Sequence, residues 1–142
     1  FSSSKSPSPK ASDQLSANIF IVNQLILDGA SMWGYSGGIP GIAGVHGTSA
    51  SGVAISQIAF RARYADLTIA HEIGHFLGLF HSTEASHGNH DPLHDTPMCG
   101  ETQPDSECPD RNNIMFWTLA ADRTLSFSRS QAAVMYANPL VR

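Results

Sequence analysis

Several things that would quickly narrow this chain's function are missing from it. Lys and Arg number only 8 against 12 Asp and Glu, a net charge of −4, and they form no basic block. The electrostatic footprint of a nucleic-acid binder is therefore absent. No apolar run approaches the ~18–20 residues needed to cross a bilayer, so a soluble chain with no membrane insertion is expected. The opening "FSSSKSPSPKASDQ" lacks the apolar stretch of a signal peptide, and there is no initiator Met. The expectation is a mature or trimmed piece of a longer precursor. Internal repeats are absent too.

Cysteine is scarce. Cys99 and Cys108 bracket the polar stretch "CGETQPDSEC", and their spacing matches no CxxC metal or redox motif. The segment has the composition of a surface loop closed by a small disulfide, which would place the chain in an oxidising compartment and favour secretion. Two unpaired thiols are the alternative.

What is present suffices for a core: 142 residues at 42% hydrophobic content is one domain's worth. The Ser/Pro-rich composition of residues 1–14 predicts a flexible arm. "LSANIFIVNQLIL" (15–27) is β-branched and apolar, which predicts a buried strand turning at Asp28-Gly29. The Gly-rich stretch 34–52 predicts a long loop holding a short strand, and "GVAISQIA" (52–59) a second strand. Leu67, Ala70, Ile73, Leu77 and Phe80 have helical spacing, which predicts a helix over 66–80 with Asp66 as N-cap. Residues 82–112 are turn-rich. A last helix is expected from about Ser128 to Tyr136, stopped by Asn138-Pro139. The order predicts an α+β domain.

Six of the seven histidines lie between His71 and His94. His71 and His75 are one helical turn apart, so both imidazoles leave the same face and reach one metal ion. Glu72, one residue on, is displaced around the helix and suited to contact a water at that metal as general base. Gly78 turns the chain so that His81 can return to the same point. Three protein ligands leave a fourth position open, as a catalytic zinc site requires. The full pattern HExxHxxGxxH would arise by chance in only on the order of a few in 10^5 chains of this composition.

This stretch resembles the zinc signature of the metzincin metalloendopeptidases. "HEIGHFLGLFH", "HDTP" (94–97), the nearby cysteines and "NIM" are most similar to the pappalysin branch. The resemblance implies one catalytic domain over 15–142, with an upper subdomain at 15–80 and a lower one at 81–142. Its sheet would be a mixed, mostly antiparallel and twisted one beside the active-site helix. The function implied is zinc-dependent endopeptidase activity on a peptide or protein substrate, through attack of a zinc-activated water whose proton Glu72 accepts. Met115 in "NNIMFWT" would form the hydrophobic floor of the Met-turn without binding metal. An edge strand before the active-site helix would pair with substrate, making Val53, Ala54 and Ile55 candidates, and Trp117 would line the pocket wall. Some metzincins carry Tyr two residues after that Met; here the position is Trp117. A non-catalytic zinc-binding module on the same fold is the alternative, and retention of Glu72 argues against it. A blocking prosegment or inhibitor is not recognisable in residues 1–14 and would lie in sequence outside this chain.

His87, His90 and His94 leave three readings open, a second zinc held by these histidines being the least expected. Gly, Asn and Pro around them suit a solvated polar loop. Asn89, Asp91 and Asp95 also offer oxygen ligands for a second, structural ion, best matched by Ca2+, and the pappalysin resemblance implies calcium in this region. His46 stands alone in the Gly-rich loop and is expected at the surface. "GYSGG" (34–38) formally matches the serine-hydrolase elbow, but that motif needs a helix after the serine. Pro40, Gly41 and Gly44 make Ser36 a loop residue.

Overall fold

The computed structural model describes residues 15–45, 47–119 and 124–142. The expectations for residues 1–14 and His46 lie outside them. Strand β1 (Asn18–Val22) is followed by the hairpin β2 (Leu25–Leu27) and β3 (Ala30–Met32), then β4 (Gly34–Ser36) and β5 (Gly52–Ser56). Helices α1 (Gln57–Arg61), α2 (Ala65–Phe76) and α3 (Arg129–Ala137) complete the set, with a 3-10 turn at Asp105–Glu107. Small sheets first, then a central helix, an irregular segment and a final helix form the expected α+β arrangement.

The three-stranded sheet has the order β1-β5-β4, with β1 parallel and β4 antiparallel to β5. The hairpin turns at Asp28 (φ 49°) and Gly29 (φ 82°), both left-handed. Such backbone matches the strand twist in a two-residue turn, and Asp-Gly is well suited to it. The apolar run 15–27 is not one buried strand. Asn23-Gln24 split it, and Ile19, Phe20, Ile21, Ile26 and Leu27 are all exposed, because β1 is an edge strand and β2 belongs to a separate two-stranded ribbon.

The core sits between β5 and α2. Val53, Ile55, Ala59 and Phe76 are fully buried, with Trp33, Ile69, Ile73 and Leu140 packed around them. β5 ends at Ser56, earlier than the apolar pattern suggested, because the Ser56 hydroxyl accepts from the Ile58 N–H and caps α1. The same topology corrects the substrate-strand expectation. β5 is the central strand, hydrogen-bonded on both sides, so Val53, Ala54 and Ile55 have no free backbone edge, and Val53 and Ile55 point into the core. The strand with an outer edge beside α2 is β4.

α2 starts at Ala65 with Tyr64 as N-cap, so Asp66 lies within the first turn and is not the cap. It stops at Phe76, short of Phe80, because Gly78 adopts φ 112° and reverses the chain. The carboxamide of Asn138 donates to the Leu77 carbonyl, tying the end of α3 to this turn. α3 begins as expected, on a capping box in which Ser128 and Gln131 satisfy each other's backbone N–H.

Candidate metal and catalytic centre

α2 carries His71 and His75 on one face, and the Gly78 reversal returns His81 to them. The three Nε2 atoms form a triangle with every side 3.1 Å. Each ring's other nitrogen is already committed. Nδ1 of His71 donates to the Ile114 carbonyl at 2.7 Å, and Nδ1 of His75 to the Leu79 carbonyl at 2.7 Å. Nδ1 of His81 faces the Glu84 carboxylate at 2.8 Å. Carbonyl and carboxylate oxygens accept only, so the protons sit on Nδ1 and three Nε2 lone pairs point at one another. Three converging lone pairs repel unless a cation stands between them. The 3.1 Å sides come close to the ~3.3 Å edge of a tetrahedron with zinc–nitrogen bonds of ~2.0–2.1 Å. The donor set fits zinc, and outer partners that lock the ring tautomers are what a metal-binding histidine needs.

Electrostatics agree. Burial, helped by the neighbouring His75, lowers the His71 pKa to about 3. Burial, with His81 second, lowers that of His75 to about 4. Both rings stay neutral, and able to donate a lone pair, well below pH 7. Glu72 is only 7% exposed, and burial raises its pKa to about 7. Its carboxylate lies against Gly34 of β4, where a Cβ would stand 2.5 Å from Oε1. No side chain larger than hydrogen fits between strand and carboxylate.

Beneath α2, Met115 is fully buried, and its Sδ would lie 2.5 Å from a Cβ added at Gly74, between the two helical histidines. The Asn113 side chain accepts from the Met115 N–H and donates to Gln131 of α3. The turn holding Met115 is thus fastened to the same helix that braces the end of α2. In front of the triad opens a cavity of about 500 Å³, lined among others by Trp33, Tyr35, Glu72, Glu84 and Trp117.

Other expected positions do not come together. Asp91 accepts from Leu93 N–H and from the Thr96 hydroxyl. Asp95 accepts from the Ser130 N–H and the Ser128 hydroxyl at the start of α3, and these bonds, the Ser130 one foremost, lower its pKa. The Asn89 carbonyl accepts from Glu84 N–H. Among the described residues two groups of three His, Cys, Asp or Glu side chains could hold a metal, and neither includes Asp91 or Asp95. The calcium expectation has no cluster to rest on, because Asp91 is occupied within its own loop and Asp95 in fastening that loop to the start of α3. Ser36 ends β4, and its hydroxyl donates to the Gly38 carbonyl. Cys99 and Cys108 are disulfide-bonded.

Sequence reasoning missed Glu84, the carbonyls of Leu79 and Ile114, and the position beside Glu72 of β4, which it held only as a short strand somewhere in 34–52. Glu84 left a faint signal, an acid three residues after the third histidine. The carbonyls left none. No helix among the described residues is long and apolar enough to cross a membrane. Compared with known proteins, residues 28–139 match the model of a metallopeptidase family, M12B reprolysin-like. Neither the curated proteins nor the solved structures provide a match.

Proposed function

Because the chain belongs to the reprolysin-like metallopeptidases of family M12B, we propose that it is a zinc-dependent endopeptidase in which His71, His75 and His81 hold the metal and Glu72 is the general base. The observation that carries this reading is the triangle of Nε2 lone pairs, each ring held by an acceptor behind it. When bound, zinc supplies Lewis acidity, making water a nucleophile at neutral pH and polarising a carbonyl.

Glu72 stands at the cavity wall beside the triad. It takes the proton of the attacking water and delivers it to the departing amine. A pKa lifted to about 7 suits a group that must both accept and return a proton. The carboxylate form needed for the first step is favoured by a cation held at the triad. Met115 supports the floor of the site through α2 without contacting substrate.

Substrate peptide adds in extended form along the outer edge of β4, whose Gly34, Tyr35 and Ser36 line the cavity. Main-chain bonds would hold it there, and Trp117 with Thr118 would wall an apolar pocket for the residue after the cut. The disulfide supports an extracellular setting. Within the wider metzincin group, "HDTP" at 94–97 and "NIM" at 113–115 support a pappalysin-like placement, whereas the matched family is reprolysin-like.

The test is zinc content and cleavage of a mixed peptide library, on the same preparations of the parent chain and Glu72→Ala. The expected outcome is about one zinc per chain in both and cleavage by the parent alone, abolished by a chelator and restored by added zinc. Zinc in both without cleavage in either would favour the non-catalytic binding module.

A further inference from the structure

The second group of potential metal ligands lies outside the catalytic cavity. His87, Cys99 and Cys108 bring Nδ1 and the two Sγ atoms within 4.8 Å of one another. All three side chains are buried, at 8%, 2% and 1% exposure. The His87 ring is oriented from behind: its Nε2 lies 2.7 Å from Oδ1 of Asp105. The carboxylate accepts, so Nε2 carries the proton and Nδ1 presents a lone pair. That lone pair faces Cys99 Sγ at 3.8 Å, where in the oxidised protein there is no proton to receive. A carboxylate behind a histidine whose free nitrogen is aimed at two sulfurs is the arrangement of a metal ligand with its outer partner. His87 also holds φ 56°, a left-handed backbone that Asn or Gly adopts at lower cost.

We propose that the chain with both cysteines reduced, as it exists before the disulfide closes, has a second, N,S,S cation site formed by His87 Nδ1, Cys99 Sγ and Cys108 Sγ, suited to a thiophilic divalent ion such as zinc. Binding displaces one proton from each thiol and none from His87, whose Nδ1 already carries none. The sulfurs must part to roughly 3.8 Å, the edge of a tetrahedron with bonds of ~2.3 Å. The Cα atoms stand 5.0 Å apart, so side-chain rotation supplies that separation without moving the backbone. Water completes the fourth position. Disulfide and metal are mutually exclusive occupants, and either would keep the 99–108 loop closed. That loop carries Asp105, which also accepts from the indole N–H of Trp117 on the cavity wall.

The test titrates cobalt(II) into the phosphine-reduced chain with its histidine triad already filled with zinc, under anaerobic conditions. Reduction converts the S–S bond to two thiols as the phosphine is oxidised to its oxide with oxygen from water. The expected result is one further equivalent of cobalt with a near-ultraviolet sulfur-to-cobalt charge-transfer band, absent from the oxidised chain. The triad contains no sulfur, so this band does not depend on the catalytic reading. Asp105→Asn should weaken the site ~10–100-fold, and His87→Asn, which tolerates the left-handed backbone, at least as much. Near-ultraviolet circular dichroism follows folding. No band in a folded reduced chain overturns the proposal. So does a reduced chain that cobalt fails to fold, or a band whose affinity both variants leave unchanged.

Discussion

Replacing Glu72 with Gln in chelator-treated protein should change how stability depends on pH, by an amount that follows from the burial of one carboxyl group. In the folded chain Glu72 keeps its proton up to about pH 7, against an ordinary value of 4.5. Between those values the folded state binds one proton that the unfolded state has released. Stability contributed by this group is complete below the lower value and is lost as pH rises to the upper. One proton corresponds to about 1.4 kcal/mol per pH unit, so the loss across the window is about 3 kcal/mol. Gln is nearly isosteric with the protonated acid and does not titrate. The variant should match the parent at low pH and exceed it by about 3 kcal/mol above pH ~7.

His71 and His75 act in the opposite direction. Their folded values, about 3 and about 4, lie below the ordinary histidine value of 6.5. Stability is therefore lost as pH falls below that value, because the unfolded rings take protons that the folded rings refuse. In the parent, two protons bound on unfolding and one released leave a net slope of one proton over the shared window, and the variant should show two. Urea unfolding followed by tryptophan fluorescence across this range measures both slopes. Parallel curves, or a gap that narrows as pH rises, would refute the burial argument.

Gly34→Ala places a methyl where Glu72 now lies, 2.5 Å from its carboxylate oxygen. It should cut peptide cleavage at least ~10-fold by displacing the base, while zinc content measured by atomic absorption stays at the parent's level. Glu84→Ala removes the acceptor behind His81, and competition with a chromogenic chelator should show zinc affinity falling ~10–100-fold; an unchanged affinity would mean that the ring needs no such support. Met115→Ala empties a fully buried position under α2 and should cost about 2–5 kcal/mol in chemical denaturation with the zinc still bound. A loss below ~1 kcal/mol would show that the neighbouring side chains collapse into the space.

The histidine triad was legible in sequence because its geometry is almost entirely local. A helix fixes where residues four apart point, and a glycine after it fixes the reversal that returns His81. The Asp-Gly hairpin turn and the start of the last helix near Ser128 were readable for the same reason, each set by residues a few positions apart. Whatever depended on which strands lie side by side was not. The apolar run before Asp28 has the composition of a buried strand, yet it divides and stays exposed, since burial depends on what covers a strand. Val53, Ala54 and Ile55 have the composition of a substrate strand, but pairing on both sides removes their free edge and leaves that place to β4. Asp91 and Asp95 look like ion ligands in one dimension, but in three Asp91 is occupied by its own loop and Asp95 by the start of α3. The carbonyls of Leu79 and Ile114, which hold the histidine tautomers, carry no side-chain signature at all. Short-range stereochemistry is written residue by residue, whereas edge, cover and hydrogen-bond partner are properties of pairs far apart in the chain, decided only when the chain packs.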